Sequence, residues 1–205
     1  MAVATRKSEK KGGRITRDSL WSLEDYAQKR DVFRAEVIEH KKNRSVRLGE
    51  NLNLIFEDEK TIRYQIQEML RVEKIFDDAS IREELDSYNP LIPDGNNLKA
   101  TMMLEYPDEN ERKRKLSELI GIEDRVWVQV EGSSKIYAIA DEDLERETEY
   151  KTSSVHFVRF EIKAEMRNNL KNGAALNIGV DHPRYRYVVL EVNDNIRNSL
   201  VKDLA

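Results

Sequence analysis

The fold is read most directly from residues 46–56, which have the sequence VRLGENLNLIF. Apolar residues recur at every second position on both sides of the turn residues Gly49, Glu50 and Asn51. A period of two is typical of a strand that buries one face, and a short loop with Gly and Asn joins antiparallel strands. This stretch therefore predicts a β-hairpin.

Similar patterns recur along the rest of the chain. Valines at 126, 128 and 130 lead through Gly132-Ser133-Ser134 into residues 135–140, which predicts a second hairpin. Further strands are predicted at 98–105, 155–162 and 187–192, and helical spacing at 31–43, 60–76, 80–87, 107–120, 164–172 and after residue 193. Hairpins with separate helices predict an α+β protein with an antiparallel sheet of about five to seven strands and helices packed on it.

Charge and linker composition predict how the chain is organised. Residues 1–14 contain five basic residues and one glutamate, so we expect a disordered basic tail. No proline-rich or serine-rich linker interrupts the remainder, which predicts a single domain over residues 15–205. Charged residues make up 36% of the chain and nearly balance, with 35 basic and 39 acidic residues. This balance gives no overall attraction to nucleic acid or to a membrane surface.

The chain has no cysteine, which excludes several classes of site. Disulfides, thiolate nucleophiles and thiolate-bound iron–sulfur clusters all require cysteine. The sequence also has no apolar run of about 18 residues that could span a bilayer, and its N-terminus has no apolar signal region. We therefore expect a cytoplasmic protein without a membrane partner.

Glu73 is the first candidate site residue. On a regular helix over residues 60–76 it would lie at the centre of the apolar stripe formed by Ile62, Ile66 and Met69, with Gln65 beside it. A buried carboxylate must be paired, hydrogen-bonded or metal-bound. An ordinary ion pair, or a helix that ends before residue 73, would equally explain this position.

Two histidines also fall on predicted apolar faces. His156 alternates with Val158 and Phe160 on a strand, and His40 shares a helical stripe with Val37. A core histidine that donates to a carbonyl group would account for either one. If Glu73, His156 and His40 converge, their nitrogen and oxygen atoms would suit a first-row transition metal. A small metal-dependent enzyme or metal-binding protein is therefore one functional hypothesis.

A turn with two prolines is the next candidate site. The polar side chains around it are Asn89, Asp94, Asn97 and Lys99. Loops of this kind bind ligands, although turn chemistry alone would also place these residue types there.

Basic residues at 41, 42, 44 and 47, together with the tail, raise the possibility of a nucleic-acid-binding regulator. No aromatic residues are interleaved with them, and the remainder of the chain is acidic. We therefore do not expect nucleic-acid binding.

Several longer strings resemble a family of bacterial and archaeal proteins that is known only as a conserved domain of unknown function. The strings lie at residues 64–69, 84–95, 98–101, 141–146 and 154–157. Genes of that family often lie beside genes for rubrerythrin-like di-iron proteins and heterodisulfide-reductase-like iron–sulfur proteins. The resemblance implies an accessory protein that acts with a redox or oxidative-stress partner by binding it. It implies no catalytic residues.

Overall fold

The computed structural model describes residues 13–142, 146, 148 and 150–205. The predicted basic tail at residues 1–14 lies outside the described residues except for its last two positions. Within the described part, the helices are α1 Leu23–Lys42, α2 Glu59–Val72, α3 Asp78–Tyr88, α4 Glu109–Glu118, α5 Ala164–Lys171 and α6 Asp194–Val201. The strands are β1 Ser45–Leu48, β2 Leu52–Phe56, β3 Asn97–Leu104, β4 Val126–Val130, β5 Ile136–Tyr137, β6 Ile139–Ala140, β7 Val155–Glu161, β8 Leu176–His182 and β9 Tyr185–Val189.

The predicted α+β class and its antiparallel hairpins are confirmed. Among the described residues the strands form two antiparallel sheets. The first sheet has the order β1-β2-β3-β7-β6 and the second has the order β5-β4-β8-β9. The hairpin predicted from residues 46–56 pairs Leu48 with Leu52. In the second predicted hairpin, β5 pairs with β4, whereas β6 joins β7 of the first sheet.

The largest core cluster lies between the two sheets. Alternate residues of β2, such as Leu52, Leu54 and Phe56, are fully buried, as are Val128 and Ile178 of the second sheet. Helices α4, α5 and α6 add apolar residues to this cluster. Helices α1, α2 and α3 instead build two smaller apolar clusters beside it.

Helix boundaries depart from the sequence expectations at three points. Helix α1 begins after Ser22, whose side chain accepts from the Asp25 N–H, and it continues through residue 31 without the predicted new start. Helix α2 ends at Val72, and Lys74 has a positive φ of 55°. Helix α3 has Asp77 as its N-cap, because the Asp77 carboxylate accepts from the backbone N–H of Ser80, the residue at which we predicted the helix to begin.

Strand β8 lies between the helix predicted at 164–172 and the strand predicted at 187–192, in a segment for which no strand was predicted. Gly179 lies inside β8 and pairs with both Trp127 of β4 and Val188 of β9. The glycine makes room for the Trp127 ring, because an added Cβ would lie 2.4 Å from a carbon of that ring. A glycine inside a strand often marks such a close approach.

Three of the four basic residues at 41, 42, 44 and 47, which raised the possibility of nucleic-acid binding, are buried or ion-paired. Arg44, the centre of the basic cluster, is 1% exposed and cannot reach a phosphate. Lys42 is paired with Glu39, and Arg47 with Glu105. None of the helices in the described ranges is long and apolar enough to cross a membrane.

Candidate metal centre

His156 is the focus of a buried polar centre. It stands in β7 opposite Met102 of β3, and both side chains are 0% exposed. Because successive strand residues point to opposite faces, His156 shares the inward face with Val158 and Phe160. The alternation of inward and outward residues in β7 therefore places the His156 imidazole in the core.

Both nitrogens of the His156 ring have partners. The Nδ1 atom lies 2.5 Å from a carboxylate oxygen of Asp141. The Nε2 atom lies 2.8 Å from the Thr152 hydroxyl, 3.1 Å from the Ser153 carbonyl and 3.8 Å from a carboxylate oxygen of Glu123. The Thr152 hydroxyl also lies 3.1 Å from that Glu123 carboxylate. A chain of polar contacts thus runs from Asp141 through His156 and Thr152 to Glu123.

Asp141 is held from two sides. Its backbone N–H donates to the Phe157 carbonyl at 2.9 Å, and the Phe157 N–H donates to its carboxylate at 3.1 Å. The Arg146 guanidinium lies 3.1 Å from the same carboxylate and above the Phe157 ring. Asp141 directly follows β6 and has a positive φ of 50°, so its backbone turns sharply at the point where its side chain meets His156.

Glu123 reaches the centre from the other sheet. It opens a short 3-10 turn, Glu123–Arg125, that leads directly into β4. Thr152 is anchored by its backbone N–H, which donates to the Leu116 carbonyl at 3.1 Å. The centre therefore joins the start of a second-sheet strand to β6 and β7 of the first sheet.

The burial of these groups sets an electrostatic requirement. The side chains of Glu123 and Asp141 are 7% and 10% exposed. Two carboxylates in such a place require compensating positive charge, because an isolated buried charge costs several kcal/mol or more. Arg146 supplies one charge. A cation bound between the two carboxylates would add to that charge.

The donor set suits a metal ion. One ligand atom each from Glu123, Asp141 and His156 can be chosen so that all three lie within 4.8 Å of one another. Zinc binds such nitrogen and oxygen atoms at about 2.0–2.2 Å in a tetrahedral arrangement, so its ligand atoms lie about 3.4 Å from one another. With Asp141 accepting from Nδ1, Nε2 faces Glu123. A carboxylate on the far nitrogen is the usual way in which proteins orient a metal-binding histidine.

Only one of the three predicted metal ligands belongs to this centre. Glu73 follows the last residue of α2, is exposed, and does not contact His156. The predicted position on the buried stripe was wrong because the helix ends one residue earlier, and Gln67 and Leu70 face the core instead.

His40 also lies elsewhere. Its Nε2 atom is 2.6 Å from the Asp58 carboxylate, close to the buried Arg44. Burial raises the pKa of Asp58, but the hydrogen bond from His40 and the charge of Arg44 outweigh it and lower this pKa to about 2. Glu73, His156 and His40 therefore do not converge into the predicted site.

The remaining predicted site residues are dispersed, and each has a structural partner. Asn89 clamps the backbone of Ile15 by two hydrogen bonds, at 2.7 and 3.0 Å. Asp94 accepts from the Asn96 N–H, and Asn97 donates to Glu161. Gln65 is hydrogen-bonded to Tyr88. Lys99 donates to the Pro90 carbonyl and lines one cavity, and Asp94 lines another.

The sequence reasoning missed Glu123, Asp141 and Thr152 as site residues. Its one usable signal was the inward position of His156, since a buried imidazole needs polar partners. Asp141 appeared only as the first residue of an acidic segment. No periodicity marks Glu123, because its role depends on how the two sheets pack.

The comparisons with known proteins place the chain among proteins without an assigned activity. The family described as "Protein of unknown function (DUF3501)" matches residues 14–204. A solved structure, described as a novel protein of unknown function from Burkholderia pseudomallei, is 53% identical. It matches with a TM-score of 0.90 and covers 94% of this chain and 100% of its own. The search of curated proteins found no match.

Proposed function

This chain belongs to the DUF3501 family of proteins of unknown function, and we propose that it binds a first-row divalent metal ion between Glu123 and His156, with Asp141 orienting the histidine. The supporting observation is the convergence of two carboxylates and an imidazole, all nearly excluded from water, within 4.8 Å. His156 Nε2 and a Glu123 oxygen are the direct ligands. Asp141 accepts from Nδ1 and fixes the ring.

The burial of the centre argues for a structural or slowly exchanging ion. Catalytic metal sites keep a position open to water or substrate, whereas structural sites are closed. His156 and Thr152 are 0% and 1% exposed, so substrate has no direct route to the ion. Binding would tie the start of β4 to β7 and would stabilise the packing of the two sheets.

The ligand chemistry limits the metals that would bind. Without thiolates, the site offers one imidazole nitrogen and carboxylate, hydroxyl and carbonyl oxygens. Imidazole suits zinc, iron and copper, and carboxylates also accept manganese. The ion would also compensate the two buried carboxylates.

Metal analysis of the purified full chain tests this proposal. We expect about one zinc, iron or manganese ion per chain after incubation with that metal, and the loss of this ion in Glu123→Gln and His156→Gln. The control is His40→Gln, which removes another histidine bonded to a carboxylate, here a partly exposed one, and should retain the ion. A chain that binds none of these metals, and whose melting temperature is the same with and without chelator, would contradict the proposal.

A spectroscopic measurement separates ligand loss from misfolding. Cobalt(II) in place of the native ion reports on its ligands through its visible absorption bands. We expect these bands in the wild type and in His40→Gln. We expect none in Glu123→Gln, even when its circular dichroism matches that of the wild type. Bands unchanged in folded Glu123→Gln would place the ion elsewhere and refute the assignment.

A second candidate function is that of a cytoplasmic accessory protein that binds a redox partner. It is favoured by exposed apolar side chains on and after the edge strand β9, where Tyr187, Val188 and Leu190 are 46%, 46% and 70% exposed. Open edge strands pair readily with extended segments of other proteins. The family resemblance suggests a rubrerythrin-like or iron–sulfur protein as the partner.

Titration with a defined partner tests this second candidate. The partner would be the purified rubrerythrin-like or iron–sulfur protein encoded beside this gene in the native host, with binding followed by calorimetry. Leu190→Asp should weaken binding about tenfold or more, as expected for an apolar contact residue. Phe76→Asp, at an exposed apolar residue between α2 and α3, is the control and should have no effect. No binding by the wild type would exclude that partner.

A further inference from the structure

A cavity of about 410 Å³ lies on the outer face of the first sheet. Its walls combine the turn at Pro90 and Leu91 with residues from β3, β6 and β7. Ile139 and Phe157 provide apolar surface that is partly open to solvent. Pockets of this size and character accept small organic molecules.

Lys99 is the reactive side chain of this cavity. It occupies an outward position of β3 and is half-buried, and its ammonium donates to the Pro90 carbonyl at 2.5 Å. Among the described residues, no carboxylate lies within ion-pair distance of Lys99. The neighbouring cation Arg159, by contrast, is bound by both Glu142 and Glu161. Within the described part of the chain, Lys99 is therefore a cation in the cavity wall that forms no ion pair.

The surroundings lower the pKa of the Lys99 amine. Burial lowers the pKa of Lys99, and the positive charge of Arg159 lowers it further. The carboxylates Asp94, Glu142 and Glu161 act in the opposite direction but do not reverse the shift. Desolvated lysines of this kind serve as nucleophiles toward carbonyl groups in many proteins.

A buried carboxylate completes the cavity. Glu57 is 3% exposed, and its two oxygens accept from the hydroxyls of Thr61 and Thr101 at 2.5 and 2.6 Å. Both carboxylate oxygens are thus held in place. A fixed carboxylate in the wall can accept a proton from a reacting amine or return it to a departing hydroxyl group.

We propose that Lys99 is a nucleophilic amine that condenses reversibly with a small aldehyde or ketone held in this cavity. The amine nitrogen forms a bond to the carbonyl carbon, and the carbonyl oxygen becomes a hydroxyl group. The carbon–oxygen bond then breaks, and the oxygen leaves as water with the two amine hydrogens, so that an imine remains. No oxidant or reductant is needed. The reaction uses none of the three residues of the metal centre.

Reductive labelling of the full chain tests this proposal. The folded protein would be treated with butanal and cyanoborohydride near pH 7, and the modified lysines would be mapped by mass spectrometry. We expect Lys99 to react at least about threefold faster than Lys113 and Lys42, because a lowered pKa leaves a larger fraction of neutral amine at the same pH. The side chains of those two lysines are 69% and 64% exposed.

Two controls establish the role of the fold. In concentrated urea all lysines should react at similar rates, and Lys99→Arg should remove the fast phase from the folded protein.

The labelling rate of Lys99 should also level off at a lower pH than that of Lys113. A Lys99 that reacts no faster than Lys113 in the folded protein would overturn the proposal. Labelling rates of Lys99 and Lys113 that rise in parallel with pH would also overturn the proposal.

Discussion

At the scale of single residues, Glu68 shows how one carboxylate can organise several partners. It accepts from the Tyr26 hydroxyl at 2.7 Å, from Arg30 at 2.7 and 2.9 Å, and from Arg71 at 3.0 Å. Hydrogen bonds from Arg30 are the main cause that lowers the pKa of Glu68 to about 2, with further contributions from Arg71 and Tyr26 and partial opposition from burial. Glu68 thereby links α1 to α2.

Replacing this carboxylate should weaken the protein in a pH-dependent manner. Because the pKa is lower in the folded state than in the unfolded state, the stabilisation is present above about pH 4.5 and is lost as the pH falls toward 2. We expect Glu68→Gln to lower the free energy of unfolding by about 1–2 kcal/mol at pH 7, a value that allows for screening by water. Urea unfolding at pH 7 and pH 3 should show this difference shrinking.

The control for this prediction is Glu165→Gln, because Glu165 is an exposed residue of α5. Its substitution should change the free energy of unfolding by less than about 0.5 kcal/mol. If the difference between wild type and Glu68→Gln is the same at both pH values, Glu68 does not have the lowered pKa that its partners imply.

At the scale of elements, strand β8 depends on the absence of a side chain at Gly179. The Trp127 ring of β4 lies against it, and Trp127 is 2% exposed. An added Cβ would also lie 2.9 Å from the Tyr187 carbonyl of β9. A small residue at this position therefore lets β4, β8 and β9 pack as one sheet.

We expect Gly179→Ala to be destabilising despite the small change. The methyl group would have to displace a buried ring, and overpacking of this kind costs about 1–3 kcal/mol. Thermal unfolding measures the loss, and the Trp127 fluorescence spectrum should shift with it. Gly13→Ala, where an added Cβ meets nothing within 4 Å, should leave both unchanged. An unchanged melting temperature in Gly179→Ala would show that β4 and β8 are not packed as described.

At the scale of the whole molecule, Arg44 connects the helical side of the protein to the sheets. Its guanidinium donates to the carbonyls of Phe56 and Glu57 at 2.8 and 3.0 Å, and it forms an ion pair with Asp203 beyond α6. Burial raises the pKa of Asp203 to about 6, although the charge of Arg44 opposes this shift. The end of α1, the start of α2 and the C-terminal segment meet at this one side chain.

This connection leads us to expect a single cooperative unfolding transition for residues 15–205. Trp21 lies in the helical clusters and Trp127 in the second sheet, so each reports on a different part. In the variants Trp21→Phe and Trp127→Phe, the remaining tryptophan should report the same urea midpoint, once each variant's own change in stability is subtracted. Separate transitions within one variant, seen by fluorescence and by circular dichroism, would contradict the single-domain prediction.

Much of the local structure could be predicted because it depends on neighbouring residues. The alternation in residues 46–56 predicted the hairpin that pairs Leu48 with Leu52. Local patterns failed at the end of α2 and at the glycine inside β8. Lys74 takes a positive φ just after α2 ends, so the apolar period that continued to Phe76 misplaced Glu73. Strand β8 was not predicted, because only the packed Trp127 ring explains a glycine at position 179 inside a strand.

The sequence by itself determined that this is an α+β protein with antiparallel hairpins, and that His156 points into the core. Both follow from the period of side chains along a strand, which is a local property. Only the tertiary structure decided what faces His156. Glu123 comes from the start of a second-sheet strand and Asp141 from the end of β6. Their meeting depends on how the two sheets pack, and no spacing along the chain encodes that packing.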